Sequence, residues 1–210
     1  MSMIDDNDLF IFDWDGTLST SSLIIAASRL FTKRYDVEYI KRNEAKYRAV
    51  VKSVTISESK SRKFAWLYDT YVRFFPPRLR DGAIDLLEYL RSNGKTIALF
   101  SDSKSYRLIS ELRMLNVLDY FDFVLSASSI DKYKPDPTGI LLAVNKFKVG
   151  KDKCVYLGDT ASDTLAARFA GINACAVGGG LEPYQKLVAV EPDYIYKTLS
   201  SILNHSRRGH

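Results

Sequence analysis

The chain has 210 residues, 46% of them hydrophobic and 26% charged, with 11 Gly and 6 Pro. This composition is typical of a compact globular protein and excludes collagen-like or low-complexity chains. No apolar run approaches the roughly 20 residues of a membrane-spanning helix, and the acidic start is unlike a signal peptide. Two cysteines, Cys154 and Cys175, are too few for a disulfide framework or a cysteine zinc site. We therefore expect a cytoplasmic protein without a membrane partner.

The net charge of +5 is unevenly distributed along the chain. Residues 19–80 contain 14 Lys and Arg against 5 Asp and Glu, whereas the rest of the chain has a small acidic excess. Such a basic segment either attracts anions or forms solvated helix faces. Nucleic acid is not an expected partner, because no Arg/Gly repeat, zinc finger or aromatic RNA-binding signature accompanies the charge.

The first predicted element is a short buried strand over residues 9–12. From about residue 20 to residue 75 the apolar residues recur at helical spacing instead. One helix in this block starts at the capping-box pattern Thr55–Glu58 and ends before Pro76-Pro77. The block interrupts an otherwise alternating chain. We therefore predict a small helical cap domain at 19–79, with residues 1–18 and 80–210 forming the core.

After residue 80, amphipathic helices alternate with short apolar strands, and a last helix is predicted near the C-terminus. The predicted strands cover residues 96–100, 121–125, 154–157, 173–177 and, at the sheet edge, 194–196. This alternation indicates a parallel sheet with helices on both faces. The predicted fold class is α/β, with a mainly parallel sheet and a small all-helical cap domain. The segment Gly178–Gly180 is interpreted as a flexible loop.

Polar residues follow the carboxyl ends of the predicted strands, where parallel sheets bind ligands. They are Asp13, Asp15, Thr17, Ser101, Asp102, Lys134, Asp159 and Asp163. Because so many carboxylates would repel one another, we expect a cation among them, and hard oxygen ligands suit Mg²⁺. A lysine and a serine hydroxyl could bind phosphoryl oxygens. Together these groups indicate phosphoryl transfer.

Four segments of the chain resemble the motifs of the haloacid dehalogenase superfamily, specifically its phosphatases with a helical cap after the first motif. The signature D-x-D-G-T is present as Asp13–Thr17, Ser101 matches the second motif, Lys134 the third, and Gly158–Asp163 the fourth. They occur in the family's order over residues 9 to about 180, and the cap matches only in position and helicity. The resemblance implies a Rossmann-like three-layer core and a plan similar to phosphoglycolate phosphatases.

The resemblance also implies the catalytic and metal-binding residues. Asp13 would be the nucleophile and a magnesium ligand. Asp15 would be the general acid and then the general base, and its backbone carbonyl would bind the metal. Asp159 would be a further ligand, and Asp163 would bind the ion or orient the residues that do.

The remaining motif residues would contact or position the phosphoryl group. Thr17, Ser101 and Lys134 are the implied phosphate-binding residues, and Lys134 also belongs to the catalytic set. Asp102 stands where relatives commonly have Asn. This departure leaves the substrate contacts open.

The predicted function is a magnesium-dependent phosphatase that hydrolyses a small phosphorylated metabolite, with phosphoglycolate the best candidate, through an aspartyl-phosphate. The presence of Asp15 favours a phosphatase over a dehalogenase. One alternative is a phosphomutase of the same superfamily. Another is a non-catalytic, receiver-like phosphate-sensing module, against which the helical insertion and Asp15 argue. No oligomeric state is predicted.

Overall fold

The computed structural model describes residues 2–20 and 76–207. The helices predicted between residues 20 and 75, with the capping box at Thr55, lie outside the described residues. Within the described ranges, no helix has both the length and the apolar character needed to cross a bilayer.

The centre of the structure is a parallel sheet of six strands in the order β5-β4-β1-β6-β7-β8. The described residues form eight strands, of which β2 and β3 lie outside this sheet. They are β1 Leu9–Phe12, β2 Ser19–Thr20, β3 Arg78–Leu79, β4 Thr96–Ser101, β5 Phe123–Ser126, β6 Cys154–Gly158, β7 Asn173–Val177 and β8 Tyr194–Tyr196. The chain builds the sheet outward on one side of β1 and then returns to build the other side. In such sheets the ligand crevice lies beyond the carboxyl ends of the strands, at the point where the direction of sheet growth reverses, which here is next to β1.

Helices cover both faces of the sheet. They are α1 Met3–Asp6, α2 Ala83–Ser92, α3 Ser105–Met114, α4 Ala127–Ile130, α5 Thr138–Phe147, α6 Ala161–Ala170, α7 Tyr184–Ala189 and α8 Leu199–Arg207. Alternate residues of β1 point to opposite faces, as the strand period requires. Phe10 and Phe12 pack with α1, α2, α3 and α8, and Leu9 and Ile11 pack with α4, α5 and α6. The predicted α/β fold, a Rossmann-like core of three layers, is confirmed.

One predicted strand boundary was wrong, and several short elements were not predicted. The third predicted strand begins at Phe123 rather than at residue 121, because Leu118–Tyr120 forms a 3₁₀ turn just before it. Helix α1 was not predicted. It is stabilised by a capping box in which the Ser2 hydroxyl accepts a hydrogen bond from the Asp5 backbone N–H and the Asp5 carboxylate accepts one from the Ser2 backbone N–H.

Strands β2 and β3 form a separate antiparallel ribbon, in which Ser19 lies opposite Leu79 and Thr20 opposite Arg78. The predicted cap begins and ends at these two strands. The chain leaves the core through β2 and returns to it through β3, and the ribbon holds these two strands side by side. The domain boundaries themselves stay a prediction.

Candidate active site

Three carboxylates meet beyond the carboxyl ends of β1 and β6. Asp13 follows β1, Asp159 follows β6, and Asp163 lies in the first turn of α6. One oxygen atom of each lies within 4.8 Å of the other two, and the residues are 4%, 0% and 1% exposed. Such close packing of buried carboxylates is costly unless positive charge offsets it.

Lys134 supplies one positive charge to this acidic cluster of Asp13, Asp159 and Asp163. Its Nζ donates hydrogen bonds to Oδ1 of Asp13 at 2.6 Å, to Oδ1 of Asp163 at 2.7 Å and to the Tyr156 hydroxyl at 3.1 Å. Burial opposes the charge of Lys134, but the carboxylates of Asp13 and Asp163 outweigh burial and raise its pKa. The Tyr156 hydroxyl donates to the Phe100 carbonyl at 2.8 Å, so a residue not predicted for the site helps to fix the ammonium.

The charges of the site fit a divalent cation. Three carboxylates against one ammonium leave an excess of two negative charges when all are ionised. Burial, followed by the charge of Asp163, raises the pKa of Asp159 to about 7. Burial also raises the pKa of Asp13, although Lys134 acts against it. The donors are carboxylate oxygens, which are the ligands that Mg²⁺ prefers.

Asp163 is engaged at both carboxylate oxygens. Its Oδ2 accepts hydrogen bonds from the backbone N–H groups of Asp159 at 3.1 Å and Thr160 at 2.9 Å, and from the Thr160 hydroxyl at 2.6 Å. Thr160 and Asp163 form a capping box at the start of α6. Asp163 therefore holds the loop that carries Asp159.

Asp159 is also held at both oxygens. The Thr17 hydroxyl donates to Oδ1 at 2.8 Å, and the backbone N–H of Leu181 donates to Oδ2 at 2.5 Å. Gly180 packs so closely that a Cβ there would overlap the Asp159 carboxylate. The segment Gly178–Gly180, interpreted from sequence as a flexible loop, thus lies against a predicted ligand. The hydroxyl hydrogen of Thr17 is directed to Asp159.

The Asp15 side chain pairs with Arg107 of α3. Arg107 Nη1 donates to Asp15 Oδ2 at 3.0 Å, and Nη2 donates to Oδ1. The Ser103 hydroxyl donates to Oδ2 as well. The predicted role of the Asp15 backbone carbonyl as a metal ligand stays a prediction. Sequence reasoning missed Arg107 of α3 and Ser103 of the connection between β4 and α3, which come near Asp15 only in the folded chain.

The same arginine connects Asp15 to Trp14. Arg107 Nε donates to Glu111 Oε1 at 2.9 Å, one helical turn further along α3. The fully buried Glu111 accepts a hydrogen bond from the Trp14 indole at its other oxygen. We call Trp14, Asp15, Ser103, Arg107 and Glu111 the Arg107 network. The sequence signal for part of it is the i, i+4 spacing of Arg107 and Glu111.

The second and third motif segments are also connected. Ser101 ends β4 at 1% exposure, and its Oγ accepts the Ser103 backbone N–H at 3.2 Å. Asp102 Oδ1 accepts the backbone N–H of Lys134 at 3.1 Å. An asparagine has an equivalent oxygen, so Asp102 can fix the lysine loop as the commoner residue would.

Arg80, which directly follows β3, connects the ribbon to two loops of the site. Its guanidinium donates to the carbonyl oxygens of Gly16 and Gly178. Gly16 has φ +85°, a left-handed conformation that favours glycine. Arg80 was not predicted as a site residue, because its partners are backbone atoms that no sequence motif records.

The chain was compared with known protein families. The model of the haloacid dehalogenase-like hydrolases matches residues 10–177, which include all four motif segments. The chain belongs to this family. The phosphatase names among its relatives, together with the family match, confirm the predicted class, a phosphoric monoester hydrolase of the haloacid dehalogenase superfamily.

Individual relatives of this hydrolase differ in how much of it they match. Pyrophosphatase PpaX of Bacillus velezensis is 25% identical over 92% of this chain and 94% of its own length. A phosphoglycolate phosphatase of Nitrosospira multiformis is 32% identical over 59% of this chain, and the match spans about half, 52%, of that relative. A haloacid dehalogenase-like family hydrolase of Streptococcus pneumoniae, 22% identical, shares the fold with a TM-score of 0.65 over 96% of this chain and 99% of that structure.

Proposed function

We propose that this hydrolase is a magnesium-dependent phosphatase that acts on a small phosphorylated metabolite through an aspartyl-phosphate on Asp13. The observation that carries the proposal is the hydrogen bond from the Lys134 ammonium to Asp13 inside the buried acidic cluster. An oxygen nucleophile, a fixed positive charge and a set of hard metal ligands are what phosphoryl transfer requires.

The first step is attack by Asp13. One of its carboxylate oxygens forms a bond to phosphorus while the bond from phosphorus to the leaving oxygen breaks. Asp15 gives its proton to that leaving oxygen, so the product departs as an alcohol. Lys134, held by Asp13 and Asp163, offsets the negative charge of the phosphoryl oxygens. Ser101, at the end of the neighbouring strand, is the proposed hydroxyl donor to the same oxygens.

The second step is hydrolysis of the aspartyl-phosphate. Asp15, now a carboxylate, takes a proton from water as the water oxygen attacks phosphorus. The bond between phosphorus and Asp13 breaks, which releases phosphate and restores the Asp13 carboxylate. The two steps together consume one ester and one water and return every catalytic group to its starting state.

The proposed magnesium ligands are Asp13, Asp159 and the backbone carbonyl of Asp15, with Asp163 as a ligand or as the residue that orients them. When bound, magnesium offsets negative charge on the carboxylates and the phosphate group and aligns the two. The capping box of Asp163 and the bonds from Thr17 and Leu181 support this assignment, because ligands are ordinarily fixed by such neighbours.

Phosphoglycolate is the leading candidate substrate, as the name of the Nitrosospira multiformis relative suggests. Inorganic pyrophosphate is the second candidate, because the Bacillus velezensis pyrophosphatase aligns with 92% of the chain rather than 59%. The ratio of kcat/KM for the two compounds decides between them. A ratio above about tenfold in favour of either corresponds to roughly 1.4 kcal/mol of differential transition-state binding.

Residues 19–79 are the proposed cap domain. The proposal is supported by the β2–β3 ribbon at its two ends and by the position of the segment between the first two motifs. Its basic composition suits a phosphorylated substrate. A cytoplasmic location also stays a prediction, supported by two buried and unpaired cysteines.

Replacement of the nucleophile tests the proposal. Asp13→Asn should lower kcat/KM for phosphoglycolate or pyrophosphate, with magnesium present, by about 10³-fold or more, because the amide cannot form the phosphoryl ester. The assay measures free phosphate. Asp85→Asn changes an exposed carboxylate on α2 and is the matched control.

The same assay separates the alternatives. Full activity of the Asp13→Asn variant would contradict the nucleophile assignment. A phosphomutase would move the phosphoryl group between hydroxyls of a sugar phosphate with little free phosphate released. A receiver-like module would accumulate phospho-aspartate without turnover.

A further inference from the structure

Helix α3 contacts the two residues that follow Asp13. Arg107 and Glu111 lie one turn apart on this helix, and they bind the side chains of Asp15 and Trp14 respectively. The Arg107 and Asp15 side chains are 12% and 19% exposed, and Glu111 is fully buried. The first-motif segment is therefore held on the α3 side by two side chains that belong to no family motif.

We propose that Arg107 is a positioning residue for Asp15 and fixes the carboxyl group that, in its protonated form, gives the leaving oxygen its proton. The inference rests on the proposed function of Asp15 as the general acid. Through its two terminal nitrogens, Arg107 contacts both oxygens of Asp15. A planar guanidinium bound in this way fixes the rotation of a carboxylate as well as its distance, which a lysine ammonium cannot do.

Arg107 pairs with two carboxylates, Asp15 and Glu111, so Asp15 does not provide its only ion pair. Glu111 already gives the arginine a buried ion pair at Nε, 2.9 Å long. Both terminal nitrogens contact Asp15, and Nη1 also donates to the Ser103 hydroxyl at 3.2 Å. Glu111 in turn is anchored by the Trp14 indole. Among the described residues, these contacts connect Trp14 through Glu111 and Arg107 to the Asp15 carboxylate.

A positioning role for the acid has a specific kinetic consequence. A misplaced Asp15 slows the departure of a poor leaving group, which needs the proton, much more than the departure of a good one, which does not. The parameter kcat/KM reports steps up to formation of the aspartyl-phosphate, so it isolates this step from hydrolysis of the intermediate. Loss of a purely structural contact would instead lower kcat/KM for all esters by one common factor.

The experiment measures kcat/KM with magnesium for phosphate esters that range from p-nitrophenyl phosphate, a good leaving group, to phosphoglycolate, a poor one. Arg107→Gln should lower the value for phosphoglycolate by about 10- to 100-fold and that for p-nitrophenyl phosphate by less than about threefold. Arg107→Lys, which keeps the charge without the fork, should fall between Gln and wild type. Arg113→Gln changes an exposed arginine of the same helix and should leave every value unchanged.

A double-mutant cycle tests whether Arg107 acts through Asp15. In an Asp15→Asn background, the additional change Arg107→Gln should alter kcat/KM by less than about twofold, because the acid is already absent. Ser103→Ala removes a second donor to Asp15 without leaving a buried charge unpaired. Its kcat/KM should depend on the leaving group in the same way as that of Arg107→Gln, but with a smaller loss. If Arg107→Gln does not fold, Ser103→Ala replaces it in the test.

Three results would overturn the inference. The first is an equal loss of kcat/KM for all leaving groups, and the second is an undiminished effect of Arg107→Gln in the Asp15→Asn background. The third is faster hydrolysis after Arg107 is replaced, because this would mean that Arg107 restrains Asp15. In each case the wild type still hydrolyses the esters, so the proposed function survives. If the wild type hydrolyses none of them, the proposed function and the inference fall together.

Discussion

The Asp159 carboxylate depends on one hydroxyl and one backbone N–H for its orientation. Thr17 and Leu181 each hold one of its oxygens, and Gly180 lies directly against it. A carboxylate restrained in this way loses less rotational freedom when it binds a cation. The threonine of the first motif thus acts on the residue of the fourth motif, 142 positions later in the chain.

Thr17→Val tests this contact at nearly constant side-chain volume. We expect magnesium affinity to fall by about 10- to 100-fold, as is usual when a residue that orients a ligand is lost. The concentration of magnesium that gives half-maximal activity measures the effect, and direct calorimetric titration checks it without turnover. Thr96→Val makes the same substitution at the start of β4, the end of the strand that is remote from the site, and is the control. Equal magnesium affinity in the Thr17→Val variant and the wild type would contradict the expectation.

The residues that the sequence could reveal are those that follow strands. Asp13, Asp159 and Asp163 are recognisable because buried strands end beside them, and the structure brings all three together with Lys134. Tyr156, Ser103 and Arg107 could not be found in this way, because their roles depend on how helices and strands pack. Tyr156 is an interior strand residue by pattern, and only its hydroxyl contact shows that it supports Lys134.

Among the secondary-structure elements, helix α6 joins folding to the site most directly. Its first turn begins with the capping box of Thr160 and Asp163, and Asp163 also bonds to Lys134. The same carboxylate therefore stabilises a helix end and fixes the ammonium of the site. A substitution in this capping box is therefore expected to affect both the stability of α6 and the position of the Lys134 ammonium.

Thr160→Ala should reduce the free energy of unfolding by about 1 kcal/mol, because the backbone N–H of Asp163 loses its side-chain acceptor. Denaturant unfolding followed by circular dichroism measures the change. Ser162→Ala is a matched control in the same turn, since its Oγ is buried without a hydrogen-bond partner among the described residues. We expect the control to be neutral or slightly stabilising. A larger loss in the control than in Thr160→Ala would refute this account of the cap.

Elements with a clear period could be predicted, and short elements without one could not. The helix stripes and buried strands after residue 80 agree with the structure because each buries a continuous apolar face. Helix α1 has four residues, too few to show a period, and the ribbon strands have two residues each.

At the scale of the whole molecule, a divalent cation should connect the two halves of the sheet. Asp13 follows the central strand, and Asp159 and Asp163 belong to the half that the chain builds after its return. A ligand that binds only the folded state stabilises it, by about 2.7 kcal/mol at a concentration of 100 Kd.

Magnesium should therefore raise the Tm of the wild type relative to the protein in EDTA. Asp159→Asn should abolish most of this rise, because a neutral amide is a much poorer partner for the ion. Differential scanning calorimetry at fixed ionic strength provides the measurement, and Asp85→Asn again serves as the control. An undiminished rise in Tm for Asp159→Asn would place the ion elsewhere.

Both thiols of the molecule are shielded by the core. Burial raises the pKa of Cys154 to about 11, and burial also raises the pKa of Cys175. Because only the thiolate reacts, a raised pKa lowers the reactive fraction at pH 8. We expect neither thiol to react with a disulfide reagent in the native protein within minutes, and both to react in guanidinium chloride. Rapid labelling of the native protein at pH 8 would contradict the burial of these residues.

The β2–β3 ribbon has a consequence for how such a protein can be altered. Thr20 and Arg78 are paired neighbours, so the chain leaves the core and re-enters it at adjacent points. A segment inserted between such points can change in length or be exchanged for another without altering the register of any sheet strand. Under the proposed cap assignment, we expect variants between residues 21 and 77 to leave Asp13, Lys134 and Asp159 in place.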